Sequence, residues 1–440
     1  MKLALITPKG VYFSNDPAIA EFFKSNLEAN DHNSFAPRYA YWTGGSLGLL
    51  IVAALTPQEI EVEFIDENYE AIDFDKPYDV VALSAMTQQA VRAYEIADRF
   101  RAKGSTVVIG GMHATVLPEE AKEHADAVVI GEAEHTWPVL INDLSEGALK
   151  PFYKSDTLAD MTKSPLPRYE LLKKYNYSMI WVQTTRGCPR SCDFCAASNI
   201  YGKAYRHKTI TQVLNEINYI RGLWNEPLIN FADDNMFVDK KYAADLVARL
   251  SRMDLRWTAQ TDVSVADDGS FLDLLQKSNC KILFIGFETL SKSGIIDAHG
   301  WKRNRIDAYP EIIRKIQSRG IGVLGAFIIG LDSDDTSVVD DVSRFIVDNR
   351  MYAAQISVLT PLPGTRLRER LEREGRIIPS KWNNYTFTDV NYLPARLTPA
   401  ELQNGLLDVY KRVYSKEARR AVVLHFKDIY LKLHVQRVAE

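Results

Sequence analysis

The sequence predicts an α/β protein with a doubly wound N-terminal domain, six further β/α units and a small, mostly helical C-terminal domain. Short apolar runs alternate with helix-period segments over residues 1–150 and again over residues 179–375, which indicates parallel strands joined by crossover helices. Residues 376–440 lack that alternation and end in two helix-period stretches. A chain of 440 residues is also too long for one hydrophobic core, so we expect separate domains.

The composition argues against several classes of protein. A net charge of −4, without a basic patch that contains aromatic residues, argues against nucleic-acid binding. No apolar run approaches the roughly 20 residues that a membrane span needs. The first apolar run is too short for a signal-peptide core. We therefore expect a cytoplasmic protein with no transmembrane segment.

Five apolar runs supply the predicted strands of the N-terminal domain: residues 3–7, 62–65, 80–84, 107–109 and 127–130. Ligands of such sheets bind at the carboxyl ends of the strands. The candidate ligand contacts at these ends are Ser84, Met86, Thr87, Gly110, Gly111, His113, Gly131 and Glu132. A glycine pair after a strand lets a ligand approach the backbone, although ordinary strand-end turns are the alternative. No GxGxxG opens the first helix, so a dinucleotide is not expected.

A linker and six strand candidates follow the N-terminal domain. Residues 151–178 contain prolines, tyrosines and charges without periodicity, as is typical of a linker. The strand candidates after it are residues 180–184, 228–232, 256–260, 282–287, 323–329 and 354–359. Functional residues of β/α barrels cluster at the carboxyl ends of the strands. The candidates here are Asp233, Asp234, Gln260, Asp262 and Glu288. For the two adjacent aspartates, a helix cap or turn is an equal alternative.

Three cysteines stand close together directly after the first of these strands. Cys188, Cys192 and Cys195 form a CxxxCxxC run with no fourth ligand nearby. A structural zinc site needs four ligands, whereas an iron–sulfur cubane held by three thiolates leaves one iron open to a small molecule. Cys280, the remaining cysteine, precedes an apolar strand and is expected to be a buried structural thiol. Four cysteines in 440 residues do not make a disulfide framework.

The cysteine run, with Phe194 before its last cysteine, resembles the radical S-adenosylmethionine (SAM) superfamily. The resemblance implies a partial (β/α)6 TIM-type barrel and a [4Fe–4S] cluster whose open iron chelates SAM. An electron from the cluster, delivered by a donor such as flavodoxin or ferredoxin, then cleaves SAM to a 5′-deoxyadenosyl radical. It also implies that Phe194 and the two glycines Gly325 and Gly330 lie near adenine. The same resemblance assigns SAM contacts to the five acidic and amide candidates named above, with Asp233 and Asp234 receiving the methionyl amino group.

The N-terminal domain resembles the cobalamin-binding domain of methionine synthase and its relatives. Ser84 matches the serine of their SxL motif, and Gly110 with Gly111 matches their glycine pair. Their DxHxxG motif is absent, so no histidine is placed to bind cobalt from below. Residues 46–50, 110–115 and 129–134 are similar to radical SAM enzymes that carry cobalamin. The eight strand-end candidates are then implied to contact cobalamin, although some relatives have lost this cofactor.

The C-terminal region is the part from which substrate contacts are predicted. In relatives this region closes the open side of the barrel, which implies that Trp382, Tyr385 and Tyr392 line a substrate pocket. Arg206 is a further candidate for a cofactor or anionic substrate, with solvated charge as the alternative. Thr398 and Pro399 predict the start of a helix. The last helix, residues 416–438, is basic and amphipathic, which favours packing on the barrel but also permits adhesion to a membrane surface.

The resemblance covers nearly the whole chain and implies a cobalamin-dependent radical SAM enzyme similar to the C- or P-methyltransferases. One SAM methylates cob(I)alamin, and a second yields the radical that abstracts hydrogen from an unactivated carbon of a small-molecule or lipid substrate. One alternative keeps both cofactors but catalyses cyclisation, oxidation or rearrangement without methyl transfer. A further alternative is a non-catalytic cobalamin or iron–sulfur sensor. No motif selects the substrate.

Overall fold

The predicted α/β architecture, with two parallel sheets and a helical C-terminal region, is confirmed. A computed structural model describes residues 1–11, 14–28, 45–190, 192–294 and 302–439. Within them, one six-stranded sheet belongs to the N-terminal domain and a second to the following β/α units. The carboxyl ends of these two sheets supply the candidate site residues.

All strands of the first sheet run parallel, in the order β2-β1-β3-β4-β5-β6. They are β1 (Lys2–Thr7), β2 (Glu61–Asp66), β3 (Val80–Ser84), β4 (Thr106–Gly110), β5 (Ala127–Ile130) and β6 (Phe152–Lys154). The edge strand β6 lies in the segment predicted to be a linker, so the first sheet extends past residue 150. The three residues of β6 have no apolar periodicity, so their sequence does not predict a strand. β6 forms because it pairs with β5.

In the described part of this domain, the helices are α1 (Pro17–Glu28), which contacts the helix Pro399–Val413 of the C-terminal region, α2 (Leu47–Leu55), α3 (Ala90–Arg101), α4 (Met112–Val116), α5 (Pro118–His124) and α6 (Ala133–Ser145). α2 is apolar on all sides, since it packs between β1 and α6. Residues 161–163 and 169–172 form single 3₁₀ turns that connect this domain to the next.

The second sheet begins with β7 (Ile180–Val182), which is followed by a two-stranded antiparallel ribbon, β8 (Thr185–Arg186) and β9 (Arg206–His207). The sheet continues with β10 (Leu228–Phe231), β11 (Arg256–Thr261), β12 (Cys280–Glu288), β13 (Gly322–Ile329) and β14 (Ala353–Val358). Its six strands pair in chain order and are all parallel, which is the topology of a partial (β/α)6 barrel. Cys280 is a buried free thiol on β12, as predicted.

The helices of this part are α7 (Ala196–Ile200), α8 (Ile210–Leu223), α9 (Lys240–Leu250), α10 (Gly269–Lys277), α11 (Tyr309–Gln317), α12 (Val338–Asp348) and α13 (Arg366–Arg373). The chain ends in α14 (Pro399–Val413) and α15 (Lys416–Ala439). The predicted start of α14 is confirmed, because Thr398 and Glu401 form a capping box. α15 packs on the barrel through Phe426 and Ile429. No helix in the described ranges is both long and apolar enough to cross a bilayer.

Tyr410 of α14 and Tyr414, which directly follows this helix, pair with the β14 edge of the second sheet. The Tyr410 hydroxyl donates to the Ile356 carbonyl oxygen over 2.6 Å and accepts from the Ile356 N–H over 3.2 Å. The Tyr414 hydroxyl does the same for Ala354, over 2.6 and 3.1 Å. The backbone groups of β14 that another strand would bind are thereby paired, so the sheet ends at six strands.

Replacing both tyrosines by phenylalanine should destabilise the protein without changing its surface. Each Tyr→Phe change leaves a backbone N–H and C=O of β14 without a partner, which costs about 1–3 kcal/mol per site. Urea unfolding of Tyr410→Phe/Tyr414→Phe measures the loss. Tyr430→Phe is the control, because the Tyr430 side chain is exposed and water can replace the one bond that its hydroxyl donates, to the Gly320 carbonyl oxygen. Equal stability of the double variant and the control would contradict the proposed role of this edge contact.

Candidate active site

The three cysteines lie in one loop at the carboxyl end of the second sheet. Cys188, Cys192 and Cys195 are free thiols between β8 and β9. Gly187, which precedes them, has a φ of 88°, and a Cβ atom there would overlap the Ala204 carbonyl oxygen. The base of the loop therefore folds back tightly on itself, in a conformation that favours glycine.

The arrangement of thiols fits an iron–sulfur cluster better than a single metal ion. Among the described residues, no three histidine, cysteine or carboxylate side chains converge to hold one ion. A [4Fe–4S] cluster needs no such convergence, because each thiolate binds a different iron. Burial raises the pKa of Cys188 to about 11 and that of Cys192 to about 12, and it also raises the pKa of Cys195. Metal binding has to displace these protons.

A buried carboxylate fixes the chain that leads into this loop. Asp233 is 1% exposed, and its oxygens accept hydrogen bonds from the backbone N–H groups and hydroxyls of Thr184 and Thr185. Burial raises the pKa of Asp233 to about 6, although these hydrogen bonds oppose the shift. Asp233 therefore holds the two threonines, and the contact between Asp233 and the methionyl amino group stays a prediction.

The neighbouring carboxylates lie against the same loop. Asp234 is half-buried and accepts a hydrogen bond from the Gly187 N–H. Burial raises the pKa of Asp234, although this hydrogen bond and the charge of Arg186 act to lower that pKa. Asp262 is buried and binds Arg190 of the cysteine loop over 3.1 Å. Asp262 also accepts from Asn235 over 2.9 Å, so two side chains hold it in place.

The remaining candidates of this sheet are at least half-buried near its carboxyl end. Phe194 and Gln260 are both half-buried. Glu288 has a φ of 67°, which is unusual for a residue with a side chain, and it forms a 3.0 Å ion pair with Lys302. Lys302 is 7% exposed, and its charge lowers the pKa of Cys192 against the larger, opposite effect of burial. Sequence reasoning missed Lys302, since no local pattern links it to the cysteines.

Both glycines predicted to lie near adenine make room for core packing, and their contact with adenine stays a prediction. A Cβ atom on Gly325 would overlap the Met351 side chain and lie 2.8 Å from Phe327. Gly330 has a φ of 92°, and a Cβ atom there would overlap the hydroxyl of Tyr392, which donates to the Gly330 carbonyl oxygen. Tyr392 is fully buried, and its place in the wall of a substrate pocket stays a prediction. Glycine spacing in a sequence does not distinguish a packed contact from a ligand contact.

In the first sheet, two glycines with positive φ have opposite surroundings. A Cβ atom on Gly111 (φ 91°) would lie 2.8 Å from the Ala85 nitrogen and 2.8 Å from the Ser84 Oγ atom, so β3 and β4 approach closely there. A Cβ atom on Gly131 (φ 82°) would have no neighbour within 4 Å. Open space therefore lies beside the end of β5, where a ligand can approach the backbone.

The other residues of this edge differ in exposure: Ser84 and Gly110 are half-buried, Met86 is exposed and Thr87 is buried. Ser84 and Gly110 are register partners on β3 and β4. Together with the space beside Gly131, they form the part of the first sheet that fits a cofactor. The residues that fit a cofactor are therefore those at the carboxyl ends of β3, β4 and β5.

His113 belongs to a contact between the first domain and the C-terminal region. Its ring is 1% exposed, and Nε2 lies 3.1 Å from Glu120, which also accepts from the Trp382 indole N–H over 2.9 Å. Tyr385 is buried, and its hydroxyl accepts from Arg368 over 2.6 Å. The roles of His113 as a cobalamin contact and of Trp382 and Tyr385 as pocket walls stay predictions. Trp382 finds its hydrogen-bond partner across this interface, whereas Tyr385 finds its partner, Arg368, on α13.

Glu132 and Arg206, predicted as separate ligand contacts, bind each other. Arg206 donates to both oxygens of Glu132, over 2.9 and 2.8 Å, and to the Ala159 carbonyl oxygen over 2.7 Å. Arg186 donates to Glu132 over 2.9 Å. Glu132 and the two arginines therefore form an ion-pair cluster that joins the two domains, and the cobalamin contact of Glu132 and the substrate contact of Arg206 stay predictions.

Comparison with known proteins matches three parts of the chain. Residues 40–141 match the B12 binding domain, residues 182–346 the radical SAM superfamily, and residues 365–435 a domain of unknown function. Bacteriochlorophyllide d C-12(1)-methyltransferase of Chlorobaculum tepidum is 31% identical over 84% of this chain and 83% of its own length. The C-8(2)-methyltransferase of the same organism is 28% identical over 84% of this chain and 85% of its own length.

The relatives also include anaerobic magnesium-protoporphyrin IX monomethyl ester cyclases. The fold is similar to that of the radical S-adenosylmethionine methyltransferase TsrM from Kitasatospora setae, with a TM-score of 0.67 and 15% identity, over 94% of this chain and 89% of the TsrM chain. The chain therefore belongs to the family of radical SAM methyltransferases that carry a B12-binding domain. Membership in this family assigns it cobalamin, SAM and a [4Fe–4S] cluster as cofactors.

Alanine substitution should destabilise the protein by different amounts at the two glycines of the first sheet, Gly111 and Gly131. Both variants place a side chain at positive φ, which costs about 1–2 kcal/mol. Gly111→Ala adds overlap with backbone atoms, so we expect it to lose about 3 kcal/mol or more, whereas Gly131→Ala should lose only the conformational cost. Urea denaturation measures both. A Gly131→Ala variant as unstable as Gly111→Ala would show that the space beside Gly131 is not open.

Proposed function

We propose that this protein uses a [4Fe–4S] cluster and cobalamin to methylate an unactivated carbon, or phosphorus, of a small-molecule or lipid substrate. The observation that carries the proposal is the contact between the base of the cysteine loop and the β5–α6 turn of the B12-binding domain, through Arg186 and Glu132. That contact joins the edge proposed to hold cobalamin to the loop proposed to hold the cluster.

The proposed roles follow from the position of each side chain. Cys188, Cys192 and Cys195 would hold the cluster. Asp234 and Gln260 would bind polar groups of SAM. Ser84, Gly110 and Gly131 would accommodate cobalamin at the strand ends. When bound, the cluster and SAM would supply a 5′-deoxyadenosyl radical, and cobalamin would supply a methyl carrier.

The protein's own residues position the cysteine loop and set the charge around that chemistry. Asp233 holds the entry to the cysteine loop through Thr184 and Thr185. Lys302 places a buried positive charge near Cys192, which stabilises the negative charge of the thiolates. Residues 376–440 are proposed to close the substrate side, and a cytoplasmic flavodoxin or ferredoxin is proposed as the electron donor.

Metal analysis of the reconstituted protein tests the two-cofactor proposal. Anaerobic reconstitution with iron, sulfide and hydroxocobalamin should give about four irons and about one cobalt per chain. Cys192→Ala should lose the iron and retain the cobalt, because the two sites lie on different sheets. Cys280→Ala is the matched control and should keep both metals, since Cys280 is a buried core thiol. Iron without tightly held cobalt would refute the cobalamin part of the proposal.

The products formed from SAM decide between methyl transfer and its rival. Methyl transfer releases S-adenosylhomocysteine together with 5′-deoxyadenosine, whereas a cyclase, oxidase or ring-rearranging enzyme releases 5′-deoxyadenosine alone. The cyclases among the relatives favour this rival as the second candidate. A protein that is loaded with iron and cleaves no SAM would instead support the non-catalytic sensor.

The adjacent aspartates should respond differently to substitution. Asp234→Asn removes one charged acceptor and should weaken SAM binding about tenfold or more at unchanged iron content. Asp233→Ala removes the oxygen that accepts from the N–H groups of both Thr184 and Thr185 and leaves these buried donors unpaired, so it should lower the iron content itself. Equilibrium dialysis of SAM and an iron assay measure the two effects. Identical behaviour of both variants would contradict this division of roles.

A further inference from the structure

The cysteine loop is closed at its base by a ribbon that carries two arginines side by side. Arg186 on β8 and Arg206 on β9 are register partners, and residues 187–205, which include all three cluster cysteines, lie between them. Their side chains are only 7% and 16% exposed. Like charges on directly opposite strand positions repel, and buried charges must be paired. The ribbon has two residue pairs, so its own ladder cannot hold this arrangement.

One carboxylate of the first domain compensates both arginines. Glu132, whose side chain is 6% exposed, accepts from Arg186 over 2.9 Å and from two nitrogens of Arg206 over 2.8 and 2.9 Å. It also accepts from the Ala159 N–H over 2.6 Å. Glu134 lies 2.9 Å from Arg186, so two glutamates balance two arginines. Burial acts to raise the pKa of Glu132, but the hydrogen bond from Arg206 and the charge of Arg186 outweigh it and hold that pKa low.

We propose that Glu132 is a positioning residue that holds the base of the cysteine loop against the B12-binding domain. Glu132 lies at the start of α6, directly after Gly131, at the strand end where open space adjoins the backbone. Loss of its charge leaves Glu134 to balance two buried guanidinium groups, so one positive charge is uncompensated and the arginines repel each other across β8 and β9. The ribbon then opens and frees the cysteine loop, while the rest of the barrel keeps its own core.

Thiol labelling before reconstitution tests this clamp directly. In anaerobic full-length Glu132→Gln, the three loop cysteines should be alkylated about tenfold faster than in the wild type, because the loop opens locally. Mass spectrometry of each cysteine-containing peptide gives the separate rates. Cys280, buried in β12, is the internal control and should react at the wild-type rate.

Asp143→Asn is the matched control variant. Asp143 is a buried carboxylate on the same helix, α6, and pairs with Lys150 over 3.0 Å and with the Tyr153 hydroxyl over 3.0 Å. It does not touch the ribbon, so the loop cysteines should react as in the wild type. Loop cysteines that react equally fast in Asp143→Asn and Glu132→Gln would overturn the proposal, since general weakening of α6 would then explain both.

A second variant keeps the proposal testable if Glu132→Gln does not fold. Arg206→Lys retains the charge but cannot reach both Glu132 oxygens and the Ala159 carbonyl at once. It should increase labelling of the loop cysteines by an intermediate factor and leave Cys280 unchanged. Wild-type labelling rates in either folded variant would overturn the clamp.

The consequence for the loaded enzyme rests on the proposed function. Bound cobalamin should slow the loss of cluster iron to a chelator in the wild type, and this protection should disappear in Glu132→Gln, because coupling between two sites acts in both directions. A wild type that binds no cobalamin would refute the proposed function, whereas the labelling rates would still decide whether Glu132 clamps the loop. Protection that persists in Glu132→Gln would overturn the coupling.

Discussion

Buried charge has to be paired, and this constraint determines how the cysteine loop is held. A carboxylate taken out of water loses more solvation energy than one ion pair returns, so each buried carboxylate here collects several donors. Asp233 takes four hydrogen bonds from two threonines before the loop, and Glu132 takes bonds from two arginines at its base. Neither residue belongs to the loop that it fixes. The cysteines therefore depend on β10 and on the other domain for their placement.

Glycine serves two opposite purposes at the strand ends. Gly111, Gly325 and Gly330 are required because backbone or side-chain atoms already occupy the place of a Cβ atom. Gly131 has the same kind of backbone conformation as Gly111 but faces open space. The first three let elements pack closely, and the last leaves room at the edge where ligands of doubly wound sheets bind. Glycine therefore occurs both where the strand ends are closely packed and where open space adjoins the backbone.

The C-terminal region completes the molecule by satisfying polar groups that the two sheets leave open. Tyr410 and Tyr414 pair the free edge of β14, and Trp382 donates to Glu120 in the first domain. Tyrosine and tryptophan suit this work, because each buries a large ring and still presents one hydrogen-bonding group. Residues of this region for which a substrate contact is predicted, such as Trp382, thus also hold parts of the chain together.

The sequence by itself determined the fold class, the family and the cluster loop. Apolar periodicity reports strands and helices directly, and CxxxCxxC is a local pattern whose chemistry depends on ligand number. The sequence could not assign partners to Glu132, Arg206, His113 or Tyr392, because each contact joins residues far apart in the chain. β6 and Lys302 escaped notice for the same reason, since neither has a local signal. Only the tertiary structure decided which polar residues hold elements together and which remain free for a ligand, because hydrogen-bond partners are set by proximity in space.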